Sequence, residues 1–513
     1  MPSKTRARTH EDACSRASSC LPAITTHACV LPNLQARRFD MLRSWSPMSA
    51  IPMLVAVAFM ASACEQAEDN RLYRQSAYIK ASNASARDSF GSAMDWWQDT
   101  LAVGAISEAG AVGGPNGDQY DDSAPESGAV YLFRRSGVAG STELEWTQQA
   151  YIKASHPAIG DMFGHSVGLH TERMVVGAPH EDSVATGVGG DETLDGASDS
   201  GAAYVFRGIG ETWGQEAFIK ASNTGAGDLF GHSVSLWNDT LVVGAPGEDG
   251  RATGVNGDQA DCCAMDSGAV YVFRQIDGTW QQEAYIKASN PGEGDGFGWS
   301  VDLSYDMLAV GAPNQSVVHM FRRSGASWEQ EAYLQGTNTA SKDGFGHSVT
   351  LWAGDVLAVG APRENDQGAA YVFYRRPLVG WQQDAHIRAS NPDRGDAFGH
   401  SVALSGRVLA VGAPAEASAA RGVDGNQEDD TAELSGAVYM FRRMDARWEP
   451  QAYLKASNSA GNSYVGHSLA LSDEGTAAVG APGEGSAATG IDGDPFDNGA
   501  PDSGATFIFE GPQ

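Results

Sequence analysis

Between residues 228 and 236 the chain reads DLFGHSVSL, with Phe230, His232, Val234 and Leu236 alternating against Gly231, Ser233 and Ser235. A period of two sends neighbouring side chains to opposite faces, so the stretch predicts a strand with one bulky and one shallow face. LVVGA (241–245) predicts a second strand after a short turn at 237–240, and GAVYVFR (268–274) predicts a third. WQQEAYIKAS (280–289) predicts a fourth, beyond a tight turn at Asp277 and Gly278. Four short strands joined this way form an antiparallel meander.

The pattern returns seven times, with its Phe-Gly position at Phe90, Phe163, Phe230, Phe297, Phe345, Phe398 and, as Val-Gly, Val465. Six copies run on through Trp146, Trp213, Trp280, Trp328, Trp381 or Trp448 into a fourth strand, and these tryptophans suit edge packing. The seventh copy stops at GATFIFEGPQ without one, while RLYRQSAYIKAS (71–82) is a fourth strand lacking the other three. A blade alone cannot bury both faces, although each buried Val, Leu or Phe contributes roughly 1.5–3 kcal/mol. Stacking a bulky face into a neighbour's shallow Gly- and Ser-lined face is a head-to-tail contact, which must close into a ring or run on as a filament. The expected fold is therefore all-β: a seven-bladed β-propeller of four-stranded antiparallel blades, with the strand at 71–82 completing the C-terminal blade and leaving no free edge.

Phe-Gly at the start of the first strand and Gly-Ala-Pro after the second, as in GDLFGHSVSLWNDTLVVGAP (227–246), resemble the FG-GAP repeat of integrin α-subunit propellers and their bacterial relatives. The resemblance spans 71–513; copy one departs with VGAI and copy seven with Val465. It implies a binding and adhesion platform rather than a catalyst. It also implies calcium sites in a D-x-D-x-D-G hairpin between the first two strands, but the turns here read WNDT, SGR, SYD and SDEG, so that site transfers to no residue.

Five copies carry an insertion of one constant length between Gly-Ala-Pro and the third strand, at 106–127, 179–200, 246–267, 414–435 and 482–503. Copies four and five have little there. In a closed ring the five insertions form one arc, on the rim that also holds Asp88, Asp161, Asp228, Asp295, Asp343 and Asp396, each just before Phe-Gly or its equivalent. The insert cores, such as GPNGDQYDD (114–122) and GIDGDPFDN (490–498), set closely spaced carboxylates among glycines. Calcium takes about six to eight oxygen ligands. The candidate ligands are Asp118 and Asp121, Asp191 and Asp195, Asp258 and Asp261, Asp424 and Asp429, and Asp492, Asp494 and Asp497. Turn geometry is the competing use of the same residue types.

The formal net charge of −30 disfavours nucleic acid, whose phosphates need a basic patch, and favours cations, basic partners or plain solubility. Against that trend, MLRSWSPMSAIPMLVAVAFMASAC (41–64) has Arg43, an apolar run from 50 to 60 too short to span a bilayer, and small residues leading to Cys64. It reads as a cleaved export signal at 41–63. ASAC resembles the lipobox of bacterial lipoproteins, with Ala61 where Leu is preferred, which implies lipidation of Cys64. Met41 then serves as initiator with 1–40 upstream of the protein, 64–76 is a tether and 77–513 the propeller. The expectation is an exported lipoprotein of the cell envelope, in the outer membrane; plain secretion is the alternative. After Cys64 only Cys262 and Cys263 remain, so no disulfide framework is expected.

The recurring histidines His165, His232, His347, His400 and His467 are expected on a packed blade face, since Trp299 and Ser92 replace them in copies four and one. The RGD at 394–396 is the repeat's ordinary Gly-Asp preceded by Arg394. Trp96, Trp97, Trp237 and Trp352 fall on the rim opposite the inserts, a further aromatic contact site. The functional reading is a monomeric, non-catalytic module that binds a protein or polysaccharide through its acidic face. A structural part of an envelope assembly and a propeller-type polysaccharide lyase or hydrolase are the alternatives. Against the last, no carboxylate pair or His-Arg cluster stands out from the repeat.

Overall fold

The computed structural model describes residues 73–137, 144–210 and 212–512. The leader, with Met41 and Cys64, lies outside the described residues. Among those described, no helix is long and apolar enough to cross a membrane.

Seven four-stranded antiparallel sheets follow one another around a ring. Blade 3 is representative, with strands Ser233–Trp237, Thr240–Ala245, Ala269–Ile276 and Thr279–Ile286. Its last hairpin turns on Asp277 (φ 50°) and Gly278 (φ 79°), the left-handed pair that suits a two-residue turn. Blade 7 takes Leu469–Leu471, Ala477–Ala481 and Ala505–Glu510 from the end of the chain and Arg74–Ile79 from its beginning. That added strand pairs Tyr78 with Phe507 and Arg74 with Glu510, whose side chains form an ion pair at 2.7 Å.

The first strand differs from its sequence reading. In blade 3 it starts at Ser233, and Phe-Gly lies in the turn before it, with Leu229 at φ 58° and Gly231 at φ 93°. This turn drops Phe230, fully buried, into the same core as Val234 and Leu236.

The faces between blades also differ. Leu241, Val243, Tyr271 and Phe273 of blade 3 pack on Val175, Ala203, Val205 and Ile219 of blade 2. Its other face offers Val242, Val270, Val272 and Ile286 to blade 4. The shallower face is thus lined by Val and Ala; the glycines and serines serve the innermost strands, where backbones nearly touch. A β-carbon on Gly244 would sit 2.1 Å from the Gly298 carbonyl oxygen of the next blade, and one on Gly177 would sit 1.9 Å from that of Gly231. The same contact closes the ring, with Gly480 2.1 Å from the Gly91 oxygen on this measure. Beside it runs a belt of hydroxyls: Ser166, Ser233 and Ser300 donate to the carbonyls of Gly231, Gly298 and Gly346 at 2.8–2.9 Å, and Ser468 donates to Gly91 at 2.7 Å across the closure. Phe-Gly and Gly-Ala-Pro recur together because the glycine of each second strand needs the bare backbone of the next Phe-Gly.

Candidate functional site

The five inserts are tied down at three levels. Each runs briefly alongside the end of its own blade's fourth strand, through the bridges Pro115–Ile152, Val188–Ile219, Val255–Ile286, Val423–Leu454 and Ile491–Ile79. Its trailing end bonds to the loop that opens the next blade, as where Met162 and Phe163 N–H donate to the carbonyls of Glu126 and Ser127.

The third tie is a buried ion pair. The lysine of each IKAS or LKAS strand end reaches a glutamate near the start of the insert: Lys80–Glu484, Lys153–Glu108 and Lys455–Glu416 at 2.8 Å, Lys220–Glu181 and Lys287–Glu248 at 2.5 Å. Every one of these side chains is buried. The same ammonium groups also donate to Ser503, Ser127, Ser435, Ser200 and Ser267 at the insert's far end, at 2.6–2.8 Å. In three blades a tyrosine hydroxyl, from Tyr151, Tyr285 or Tyr453, donates to the same glutamate at 2.8–2.9 Å. Burial pushes the lysines below their ordinary range while the paired carboxylates pull them back. Copies four and five, without the insert, lack the lysine: Gln335 and Arg388 stand in its place. The sequence reading passed over these residues, although lysine and insert come and go together along the chain.

The candidate calcium ligands have another task. Asp118, Asp121, Asp191, Asp258, Asp494 and Asp497 each accept the backbone N–H two residues ahead at 2.9–3.1 Å, the Asx turn. Asp429 accepts from the Thr431 hydroxyl at 2.7 Å. Asp424 and Asp492 accept the N–H of Tyr453 and Tyr78 at 2.9 Å and so fasten insert to strand. Asp195 lies in a bridge with Ser183, and the Asp261 carbonyl accepts from Arg251 N–H. Among the described residues no three His, Cys, Asp or Glu side chains converge as metal ligands. The carboxylates are spread along these turns.

The acidic positions before Phe-Gly close turns of their own. Asp88, Asp161 and Asp228 accept the N–H of Ser85, Ala158 and Gly225 at 2.7–2.9 Å. Burial pushes each up to about 7, with neighbouring carboxylates such as Glu108, Glu181 and Glu248 adding to the rise. Asp396 of the RGD is buried in the same way, its carboxylate accepting from Asp393 N–H at 2.8 Å. Outside this scaffolding the inserts expose charge and apolar tips. They hold two arginines, Arg251 and Arg421, and no lysine. Tyr120 is 76 % and Phe496 58 % exposed, with Leu194 and Met265 also exposed. Cys262 and Cys263, on the third insert, are exposed free thiols.

The histidines stand elsewhere than expected. They leave the packed faces and turn to the axis, where rings of successive blades meet: His165–His232 at 4.8 Å, His232–Trp299 at 4.5 Å, Trp299–His347 at 5.8 Å, His347–His400 at 4.8 Å and His400–His467 at 4.9 Å. Burial holds His165 and His347 down to about 4, and His232 and His400 to about 3, so the girdle is neutral.

The FG-GAP repeat model matches residues 146–206, 213–273, 280–326, 328–373 and 381–441, more than half of the chain. No curated protein matches it. Among solved structures, the WD40 repeats of RRP9 share 11 % identity over 85 % of this chain and 97 % of theirs, with a TM-score of 0.48. The periplasmic gluconolactonase of Pseudomonas aeruginosa shares 12 % over 76 % and 98 %, with a TM-score of 0.42.

Proposed function

We infer a binding role from the premise that this chain belongs to the FG-GAP repeat family, whose model covers more than half of it. The protein acts as an exported, non-catalytic module, tethered to a membrane by a lipid on Cys64, and its insert arc takes a macromolecular partner, a protein or a polysaccharide. One observation carries this reading: five loops of equal length are each held by a buried Lys–Glu–Ser cluster while their tips stay exposed, acidic and tipped with Tyr120, Leu194 and Phe496. Burying an ion pair costs several kcal/mol per ion in desolvation, so such pairs are poor sources of stability and good fixers of geometry. A surface fixed that firmly and left apolar at its tips fits an interface with a partner.

The test is crosslinking and pull-down from native membranes with the full chain, beside a variant carrying Tyr120→Ser, Leu194→Ser and Phe496→Ser. The reading expects a partner retained by the parent and lost by the variant at unchanged melting temperature. Equal capture by both would remove the insert face from the function. Replacing Cys64 by Ser should release the protein from the membrane fraction; a variant that stays there would refute the anchor.

A further inference from the structure

At the end of the axis away from the inserts, the innermost strands of all seven blades line one cavity of about 350 Å³. Three carboxylates line it: Asp95 of blade 1 and Asp302 of blade 4, on walls three blades apart, and the exposed Asp473 of blade 7. Asp95 accepts the N–H of Trp96 at 2.8 Å and of Leu169 at 2.6 Å. Asp302 accepts the Ser235 hydroxyl and the Leu303 N–H at 2.9 Å, and the Leu351 N–H at 2.6 Å. These bonds cross to the neighbouring blade in both cases and hold the carboxylates rigidly. Burial raises Asp95 to about 6 and Asp302 to about 7, and each keeps some surface open to the cavity.

Among the described residues, no lysine or arginine lines the cavity to balance them. His170 lines it too, but burial lowers it to about 4, and its Nδ1 accepts the Asn238 N–H at 3.1 Å, so it supplies no charge. Around the carboxylates runs an aromatic wall. Trp97 and His170 lie 4.0 Å apart between ring centres, His170 and Trp237 4.6 Å, and Trp237 and Tyr305 4.6 Å. Tyr305 is 59 % and Trp352 40 % exposed at the mouth. On blades 6 and 7 the aromatic wall gives way to Leu404 and Ser405 and to Leu471 and Asp473.

Carboxylates without a lysine or arginine beside them, set within aromatic rings, complement a cation that carries carbon groups: a bound positive charge favours their ionised form, the ring faces attract it and the apolar body excludes water. An inorganic cation would leave the aromatic wall unused, and a neutral sugar would leave the charge uncompensated. We propose that this axial cup binds a small organic ammonium ion, with its charge facing Asp95 and Asp302 and its carbon groups against Trp97, Trp237 and Trp352. The site is separate from the insert arc and stands or falls independently of it.

The test is titration of the full chain with choline, tetramethylammonium and 1,4-diaminobutane, followed by calorimetry and tryptophan fluorescence. The neutral isostere 3,3-dimethylbutan-1-ol and methyl glucoside are the comparison ligands. The proposal expects one saturable site for at least one of the cations, with the isostere weaker by about tenfold or more. Trp352→Ala, at the exposed rim, should weaken the cation about tenfold without moving the melting temperature. Asp302→Asn should weaken it further; should that variant fail to fold, Tyr305→Ala serves with Trp352→Ala. The proposal is overturned by no saturable binding of any cation up to about 50 mM, by equal binding of the isostere, by preference for the sugar, or by binding that survives the rim substitutions.

Discussion

At the scale of single residues, two kinds of position carry the fold's geometry. The Gly-Ala-Pro glycines face a backbone carbonyl of the next blade, an atom that cannot swing aside as a side chain would. Gly244→Ala should therefore lower stability by about 3 kcal/mol or more, while Gly214→Ala, with no atom within 4 Å of the added methyl, should leave it nearly unchanged. Denaturant melts of the two variants decide this. The aspartates before Phe-Gly give a pH-dependent case. Asp228 titrates near 7 in the folded protein because it is buried, against about 3.9 when unfolded. The folded state thus binds the proton more tightly, and this group's contribution to stability falls as pH rises from about 4 to 7. Asn keeps an acceptor for the Gly225 N–H and carries no charge. Melting curves of Asp228→Asn against the parent should show an advantage that widens between pH 4 and 7 and then levels off; a constant or shrinking gap would refute the assignment.

At the scale of elements, the insert and the strand end that latches it are one unit. Lys287→Met leaves Glu248 buried without its partner, which should destabilise by about 3–5 kcal/mol and speed hydrogen exchange across 246–267 before the rest of blade 3. Removing both charges with Lys287→Met and Glu248→Leu should recover part of the loss, since the uncompensated charge is gone. The strands themselves were readable from period-two alternation, and the hairpin at Asp277–Gly278 from its turn residues. The Phe-Gly turn was not, because Phe230 returns to the same core as Val234 after a bend at Gly231, and so imitates unbroken alternation. The axial histidines were misplaced for the same reason: beyond the bend, facing no longer follows the count along the strand. The latches left a signal that alternation does not register, the joint loss of insert and lysine in copies four and five.

At the scale of the whole molecule, the ring was legible because the copies were counted and the missing fourth strand had an unpaired match at 71–82. What covers each face was less legible. The inserts announced themselves as acidic, but whether carboxylates converge on an ion or close turns depends on backbone paths that composition does not encode. The axial cup needs residues from all seven blades, so no stretch of sequence contains it. All of these features presuppose that the circle is shut by the leading strand. The most direct test compares two truncations, one lacking residues 1–72 and one lacking 1–82, by thermal melting. The first should melt like the parent, whereas the second, stripped of the strand Arg74–Ile79 that pairs with Ala505–Glu510, should melt far lower or fail to fold. Equal melting temperatures for the two would contradict closure by that strand.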